Sequence, residues 1–265
     1  MRLEINKIQV EICLADLIID ETNGSLSGHK EHSVTNERIK MRTQQPSVYS
    51  ATATVSTAAK NKLIKNTYTL LSITLLFSAF MAAASMLIAL PPFMPLVSSL
   101  GALALIWLVL PRTANSAAGI WTVFAITGLL GLGLGPILNQ YLALANGSQI
   151  IMTAMGGTGA IFLGLSGYAL TTRKDFSFMG GFLFAGFIVV LLASLANIFL
   201  AIPALSLAVS GAVIMLMSGF ILYDTSRMVN GGETNYVMAT VGLYLSIYNI
   251  FISLLHILGV MGGDD

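Results

Sequence analysis

Long apolar stretches alternate with short polar segments along most of this chain, from about residue 66 to residue 261. Each stretch is close to the roughly 20 residues that an α-helix needs to cross a hydrocarbon core about 30 Å thick. The pattern therefore predicts an all-α membrane protein. Seven spans are expected, at Thr67–Leu90, Phe93–Leu110, Ala118–Leu142, Ile150–Thr171, Met179–Ala201, Leu205–Asp224 and Ala239–Val260.

The first 65 residues follow a different pattern, because they are polar, mixed in charge and without sustained periodicity. Such a composition is typical of a disordered tail. Met41 would serve as a start as well as Met1, so residues 1–40 are a candidate upstream extension. We expect a cytosolic tail over residues 1–65 and a membrane domain over residues 66–261.

The basic residues all lie on one side of the membrane that these spans define. Thirteen Lys and Arg residues occur, and each precedes the first span or lies in the second, fourth or sixth loop. Cytosolic loops carry the excess of Lys and Arg in membrane proteins. This rule places the N-terminus in the cytosol and Asp264-Asp265 outside, and predicts a multi-pass protein of the bacterial inner membrane.

Composition narrows the class further. The chain is 55% hydrophobic and only 9% charged, whereas soluble domains carry about 25% charged residues. A net charge of +1 without a groove-lining basic patch gives no case for nucleic-acid binding. A single cysteine, Cys13, excludes an internal disulfide framework and a thiolate metal cluster.

The last span carries a polar stripe. Spacings of three and four place its members on one face of the helix: Gly242, Ser246, Asn249, Ser253 and His256. Polar groups are costly against lipid, so this face is expected to meet the protein interior or a water-filled cavity. Two interpretations remain open, namely hydrogen bonds that hold the bundle together and a helix that lines a polar path.

Asp224 is the only acidic residue close to the interior of a predicted span. In the last turn of its predicted helix, a carboxylate opposes the helix macrodipole, so a partner is expected to offset it. Arg227 is the local candidate and Arg112 the distant one. The pair is either a simple interfacial contact or a latch at the cytosolic mouth, which protonation or ion binding would change.

One motif suggests an enzyme. Gly164-Leu165-Ser166-Gly167 matches the Gly-x-Ser-Gly of rhomboid proteases, and His256 would then supply the base for Ser166. At about 1.5 Å per residue, however, the two side chains lie roughly 18 Å apart in depth. That separation is far beyond hydrogen-bond reach. Neither a His-Glu-x-x-His motif nor a Walker motif occurs. We expect no enzymatic activity, no cofactor and no metal centre.

Glycine and alanine recur at helical spacing within three spans and are interpreted as notches for helix packing. The residues are Gly131 and Gly135 in the third span, Gly157, Ala160 and Gly164 in the fourth, and Gly181 and Ala185 in the fifth.

Two runs resemble the transmembrane Bax inhibitor motif family. Residues 128–138, with the sequence GLLGLGLGPIL, are similar to the family's third-helix signature, and residues 243–251, LYLSIYNIF, to its closing helix. The resemblance extends from about Lys60 to Gly259. It is closest to the bacterial YccA branch, through the segments TTRKD at 171–175 and GGETNY at 231–236.

This resemblance implies a seven-helix bundle whose last helix is enclosed by the other six. Some members of the family act as pH-sensitive calcium leak channels that use two aspartates, one on the sixth helix and one on the seventh. Asp224 matches the first position, but Ser246 occupies the second. Half of that pair is therefore missing, and a lone carboxylate lacks the coupled titration of a close pair. The alternative function is a pH-sensitive cation (calcium) leak channel through the helix bundle, with calcium or protons as the candidate partners.

The YccA branch is associated with the membrane-anchored AAA protease FtsH, which it binds and restrains, the cytosolic tail being engaged by the protease. The resemblance therefore implies an inner-membrane protein that contacts the lipid bilayer and modulates FtsH. The predicted tail before the first span suits that role.

Overall fold

The computed structural model describes residues 57–88 and 90–262, and in them seven helices are long and apolar enough to cross a membrane. In chain order these helices are α1 Thr57–Ile88, α2 Met94–Thr113, α3 Ala118–Leu142, α4 Gly147–Thr172, α5 Gly180–Leu200, α6 Pro203–Asn230 and α7 Tyr236–Met261. The predicted all-α membrane class is confirmed. The predicted tail before Thr57, with both candidate start residues, and Asp264-Asp265 lie outside the described residues.

Two helices begin or end away from their predicted bounds in ways that affect the site. Helix α1 begins at Thr57 rather than Thr67, so the stretch up to Lys65, placed in the tail by its polarity, is helical. Helix α6 continues past Asp224 to Asn230. Asp224 is therefore not in a last turn, and the macrodipole argument for its partner fails.

The end of α6 is set by glycine. Gly231 adopts the left-handed conformation, with φ 88°, which glycine reaches without the steric cost that a Cβ brings. The amides of Gly231 and Gly232 then donate to the carbonyl of Arg227 at 2.9 and 2.8 Å. This is the usual closure of a helix C-terminus, and it leaves a short connection before α7.

Helix α1 packs on α3 through small residues. A Cβ added at Gly131 would be 3.0 Å from the Cα of Ser78, and one at Gly135 would be 2.9 Å from the backbone nitrogen of Met86. These predicted notches are confirmed. Gly164 and Gly181 have no described atom within 4 Å of a Cβ position, so the notch prediction is wrong there, because both residues face away from the bundle.

Helix α7 is the most buried span, with 78% of an apolar 18-residue stretch buried inside the protein. It packs mainly against α1, α3, α4 and α6, so its enclosure by all six other helices is not confirmed. Other helices expose large apolar side chains, such as Leu87 and Phe199. Apolar exteriors of this kind are stable against lipid rather than water.

Candidate functional site

The connections α2–α3, α4–α5 and α6–α7 lie at one end of the bundle. We call this end the basic face, because the described cations belong to it: Lys60, Lys62, Lys65, Arg112, Arg173, Lys174 and Arg227. The opposite end, with the start of α6 and the end of α7, is called the far face. The candidate site consists of the contacts that each end of α7 makes with neighbouring helices and connections.

The polar stripe of α7 lies inside the protein. Ser246, Asn249, Ser253 and His256 are each at most 1% exposed. The Asn249 side-chain amide donates to the carbonyl of Leu245 at 3.0 Å. Among the described residues, the stripe therefore faces other parts of the protein. Because these side chains are almost fully buried, no open water path runs along the stripe in this conformation.

Asp224 and Gly242 meet where α6 crosses the stripe near the basic face. The Asp224 Oδ2 atom lies 3.1 Å from the position that a Cβ of Gly242 would occupy. The missing side chain thus makes room for the carboxylate against α7. Asp224 itself is half-buried, a setting in which its charge interacts more strongly than it would in bulk water.

Each of the two arginines considered as partners of Asp224 contacts groups elsewhere in the protein. Arg227 Nη2 lies 3.9 Å from the carboxylate of Glu233 and donates to the carbonyl of Gly232 at 3.2 Å. Its guanidinium lies 5.4 Å from the centre of the Tyr223 ring, within cation–π range. Arg112 is exposed and donates to the carbonyl of Leu108 on its own helix. The latch on Asp224 remains a prediction.

Glu233 in the α6–α7 connection was not singled out by sequence reasoning, although it is only 7% exposed. Its Oε1 accepts hydrogen bonds from the backbone amides of Thr234 and Asn235 at 2.8 and 2.7 Å. Together with the Arg227 contact, these bonds compensate the carboxylate's lost hydration. Because Glu233 lies in a loop, the periodicity of the sequence did not predict that its side chain is buried.

Asn235 caps α7 and also joins two connections. Its Oδ1 accepts from the amides of Val237 and Met238, at 2.9 and 3.3 Å, and so satisfies free donors at the helix N-terminus. Its Nδ2 donates to the Ala114 carbonyl at 3.0 Å and to Asn115 Oδ1 at 2.9 Å. An Asn before an apolar run is a recognisable cap signal, but the link to α2–α3 is not.

Ser226 and Asn230 tie the end of α6 to the α4–α5 connection. Ser226 Oγ donates to the Lys174 carbonyl at 3.0 Å and accepts from the Phe176 amide at 2.9 Å. Asn230 Nδ2 donates to the same carbonyl at 3.3 Å. Within this connection, hydrogen bonds from Ser177 lower the pKa of the exposed Asp175 carboxyl. The described connections of the basic face are thus held together by side chains.

A second polar seam joins α7 to α1 and α3 on the other side of α7. The hydroxyls of Tyr244 and Ser78 lie 2.6 Å apart, and the Tyr244 hydroxyl lies 3.4 Å from the Thr127 carbonyl. Thr240 donates to the Thr67 carbonyl of α1 at 3.4 Å and to the Tyr236 carbonyl of its own helix at 2.7 Å. Sequence reasoning missed this seam, although Thr240 and Tyr244 are spaced four apart and share a helix face.

Near the far face, His256 is held by two serines of α6. Its Nδ1 lies 2.8 Å from Ser210 Oγ and its Nε2 lies 3.1 Å from Ser206 Oγ. Ser166, weighed above as a nucleophile for this histidine, is buried elsewhere on α4, and its hydroxyl has no hydrogen-bond partner among the described residues. The structure therefore does not bring Ser166 and His256 together.

No group of three or more His, Cys, Asp or Glu side chains among the described residues is placed to hold a metal ion. Among the described residues, Glu233 is a buried carboxylate and Asp224 a half-buried one.

Comparison with known proteins agrees with this architecture. The sequence model described as "Inhibitor of apoptosis-promoting Bax1" matches residues 60–263. The chain is 51% identical over 209 residues to "Modulator of FtsH protease YccA" of Escherichia coli K12. The matched segment covers 79% of this chain and 94% of that protein. An "Uncharacterized membrane protein" of Vibrio cholerae is 50% identical over 209 residues, with the same shares of each chain. Since the family model matches well over half of the chain and includes part or all of each described helix, the chain belongs to the Bax inhibitor family.

Proposed function

We propose that this protein, as a binding protein rather than an enzyme, contacts and modulates the membrane protease FtsH in the inner membrane. The observation that carries the proposal is the 51% identity to the Escherichia coli protein named as a modulator of that protease, over 94% of its length. The matched 209 residues make up 79% of this chain.

The geometry of the basic face supports a docking role. Hydrogen bonds from Asn235 and Ser226 link its connections to one another. These bonds favour one arrangement of the surface. A surface of fixed shape loses less conformational entropy when a partner binds. Arg173 and Lys174 are exposed beside these ties, and they supply charge for an acidic partner surface.

Helix α1 gives the N-terminal segment its place in this proposal. The helix begins at Thr57 and carries Lys60, Lys62 and Lys65 in its first turns, all on the basic face. The chain N-terminal to Thr57 is therefore joined to the membrane domain at the basic face, which the predicted topology turns toward the cytosol.

Co-purification tests the proposal. The full chain, solubilised in mild detergent, is expected to retain FtsH through affinity purification. A variant with residues 1–56 replaced by a Gly/Ser segment of equal length is expected to lose most of it. Lys174→Ala is the matched test of the face, because the carbonyl that binds Ser226 is kept. Full retention by both variants would remove these two contact regions from the proposal.

A second candidate function is a cation leak, calcium included, which responds to pH. It is favoured by the placement of Asp224 against Gly242, at the end of a buried stripe that runs on to His256. The stripe is closed in the described conformation, so conduction would need α6 and α7 to separate. Liposome flux between pH 6 and 8 is the test, beside Asp224→Asn. An unchanged profile in that variant would remove Asp224 from the mechanism.

A further inference from the structure

We propose that the α4–α5 connection binds an anionic phospholipid, with two cations on the headgroup phosphate and apolar side chains beside them on the acyl chains. The residues concerned are called the α4–α5 patch and are Tyr168, Arg173, Lys174, Phe178 and Phe182. The lipid is a ligand in its own right, and the proposal depends neither on the protease nor on conduction.

The backbone at Arg173 does not favour an arginine. Arg173 ends α4 in the left-handed conformation, with φ 52°. A Cβ is sterically costly in this conformation, and glycine is the usual residue there. Gly231 has the corresponding position at the end of α6, with φ 88°. The arginine at residue 173 is therefore better explained by what its side chain binds than by the turn.

The two cations of the patch are presented on a fixed backbone. Arg173 and Lys174 are both exposed, and the Lys174 carbonyl accepts a hydrogen bond from Ser226 of α6 at 3.0 Å. The neighbouring Asp175 carboxylate accepts from the Ser177 amide at 2.8 Å, on the side of the connection that leads into α5. A guanidinium can donate to two oxygens of one phosphate, and an ammonium adds a further charge.

Exposed aromatic rings lie beside these cations. Phe178 is 80% exposed, Phe182 74% and Tyr168 49%. The Tyr168 ring also lies 6.2 Å from the ring of Phe176 in the connection. Aromatic and basic residues together are typical of the level at which headgroups and acyl chains meet. Charge alone would also suit an acidic protein surface, but the apolar rings favour a lipid.

Both helices leave open space for an acyl chain next to the patch. Helices α4 and α5 each pack on α6 and make little contact with one another. Gly164 precedes Tyr168 by four residues and so shares its helix face, while Gly181 is the neighbour of Phe182. A Cβ added at either glycine would have no described atom within 4 Å. The glycines that failed as packing notches therefore leave room for a lipid chain.

Native mass spectrometry of the full chain in detergent tests the site, with dioleoyl phosphatidylglycerol and dioleoyl phosphatidylcholine as the probes. The wild-type chain should bind the anionic lipid more tightly than the zwitterionic one. Arg173→Gly should reduce this preference about fivefold, the effect of one cation near the membrane surface, while its denaturation midpoint stays the same or rises. The matched control is Ala201→Gly, at the other described non-glycine residue with positive φ, and it should keep the full preference.

Further variants separate this site from the general charge of the basic face. Lys62→Ala removes an exposed cation of α1 and should keep the preference. Gly164→Leu should weaken binding of phosphatidylglycerol, whereas Gly156→Leu should not, although both positions on α4 have no described atom within 4 Å.

An excess of inorganic phosphate should not displace the lipid, because the acyl chains contribute to binding. Displacement by phosphate would reduce the site to a simple anion site and overturn the proposal. It would also be overturned by a wild-type chain without preference for phosphatidylglycerol, which would leave an acidic protein surface as the partner of these cations. Full preference in Arg173→Gly, or an equal loss in Lys62→Ala, would have the same consequence.

Discussion

The carboxylate of Asp224 on α6 is seated against Gly242 on α7, with Oδ2 3.1 Å from the place where a Cβ of residue 242 would lie. The acidic side chain on α6 thus occupies space that a side chain at position 242 of α7 would otherwise limit. The pair joins the acidic residue singled out from the sequence to the first member of the polar stripe.

Gly242→Ala is expected to displace this carboxylate. The added methyl group would sit closer to Oδ2 than ordinary van der Waals contact, so the Asp224 side chain must move by a few tenths of an ångström. We expect a loss of about 1 kcal/mol in the free energy of unfolding, measured by thermal denaturation in detergent. The matched control is Gly211→Ala on α6, where no atom of the described residues lies within 4 Å of the Cβ position. Equal midpoints for the two variants would contradict the contact.

Gly131→Ala tests the packing of α1 on α3. A methyl group there would meet the backbone of Ser78, which cannot rotate away as a side chain can. The expected loss is about 1–3 kcal/mol. Gly156→Ala on α4 is the control, since nothing in the described part of the chain lies within 4 Å of its Cβ position and alanine favours a helix by about 1 kcal/mol over glycine. Equal denaturation temperatures for the two variants would contradict the account.

Asn235 has two roles that substitution can separate. Asn235→Ala removes both the α7 cap and the bonds to Ala114 and Asn115, and it should destabilise the protein by about 1–2 kcal/mol. Asn235→Asp keeps an oxygen acceptor for the cap but loses the Nδ2 donor. We therefore expect an intermediate stability, with faster hydrogen exchange at residues 113–117 in both variants. Wild-type exchange there would show that the link does not hold the α2–α3 connection.

Cys13 offers a test of the predicted orientation, because it is the single cysteine of the chain. A thiol reagent that cannot cross membranes should label it in inverted vesicles and not in intact spheroplasts. In a Cys13→Ser background, Ala145→Cys places a thiol in the exposed α3–α4 connection, and the pattern should reverse. Labelling of Cys13 from outside would refute the orientation inferred from the basic residues.

Hydrophobic patterning was sufficient for the helices but not for all of their ends. The bounds of α3 match the prediction, because polar and small residues flank an unbroken apolar run. The end of α6 was misplaced at Asp224, since Thr225, Ser226 and Asn230 are polar. The structure shows that Thr225 and Ser226 are buried by contacts with other parts of the chain. Such contacts depend on tertiary neighbours that a local window does not contain.

The site was foreseen on α7 and missed on its neighbours. Helical spacing was enough to place Ser246 and His256 on one buried face. It did not identify Ser206 and Ser210, although their spacing of four also puts them on one face of α6. Which face of α6 meets α7 depends on the rotation of both helices, and the sequence pattern of a helix surrounded by apolar neighbours specifies that rotation weakly.

The central claim is modulation of FtsH, and the most direct measurement is the rate at which purified FtsH degrades a membrane protein substrate in proteoliposomes. The account predicts that adding the full chain slows degradation, and that replacing residues 1–56 with a Gly/Ser segment of equal length restores the rate. Degradation of a soluble substrate in the same vesicles confirms that the protease is active. An unchanged rate with the full, folded chain present would contradict the account.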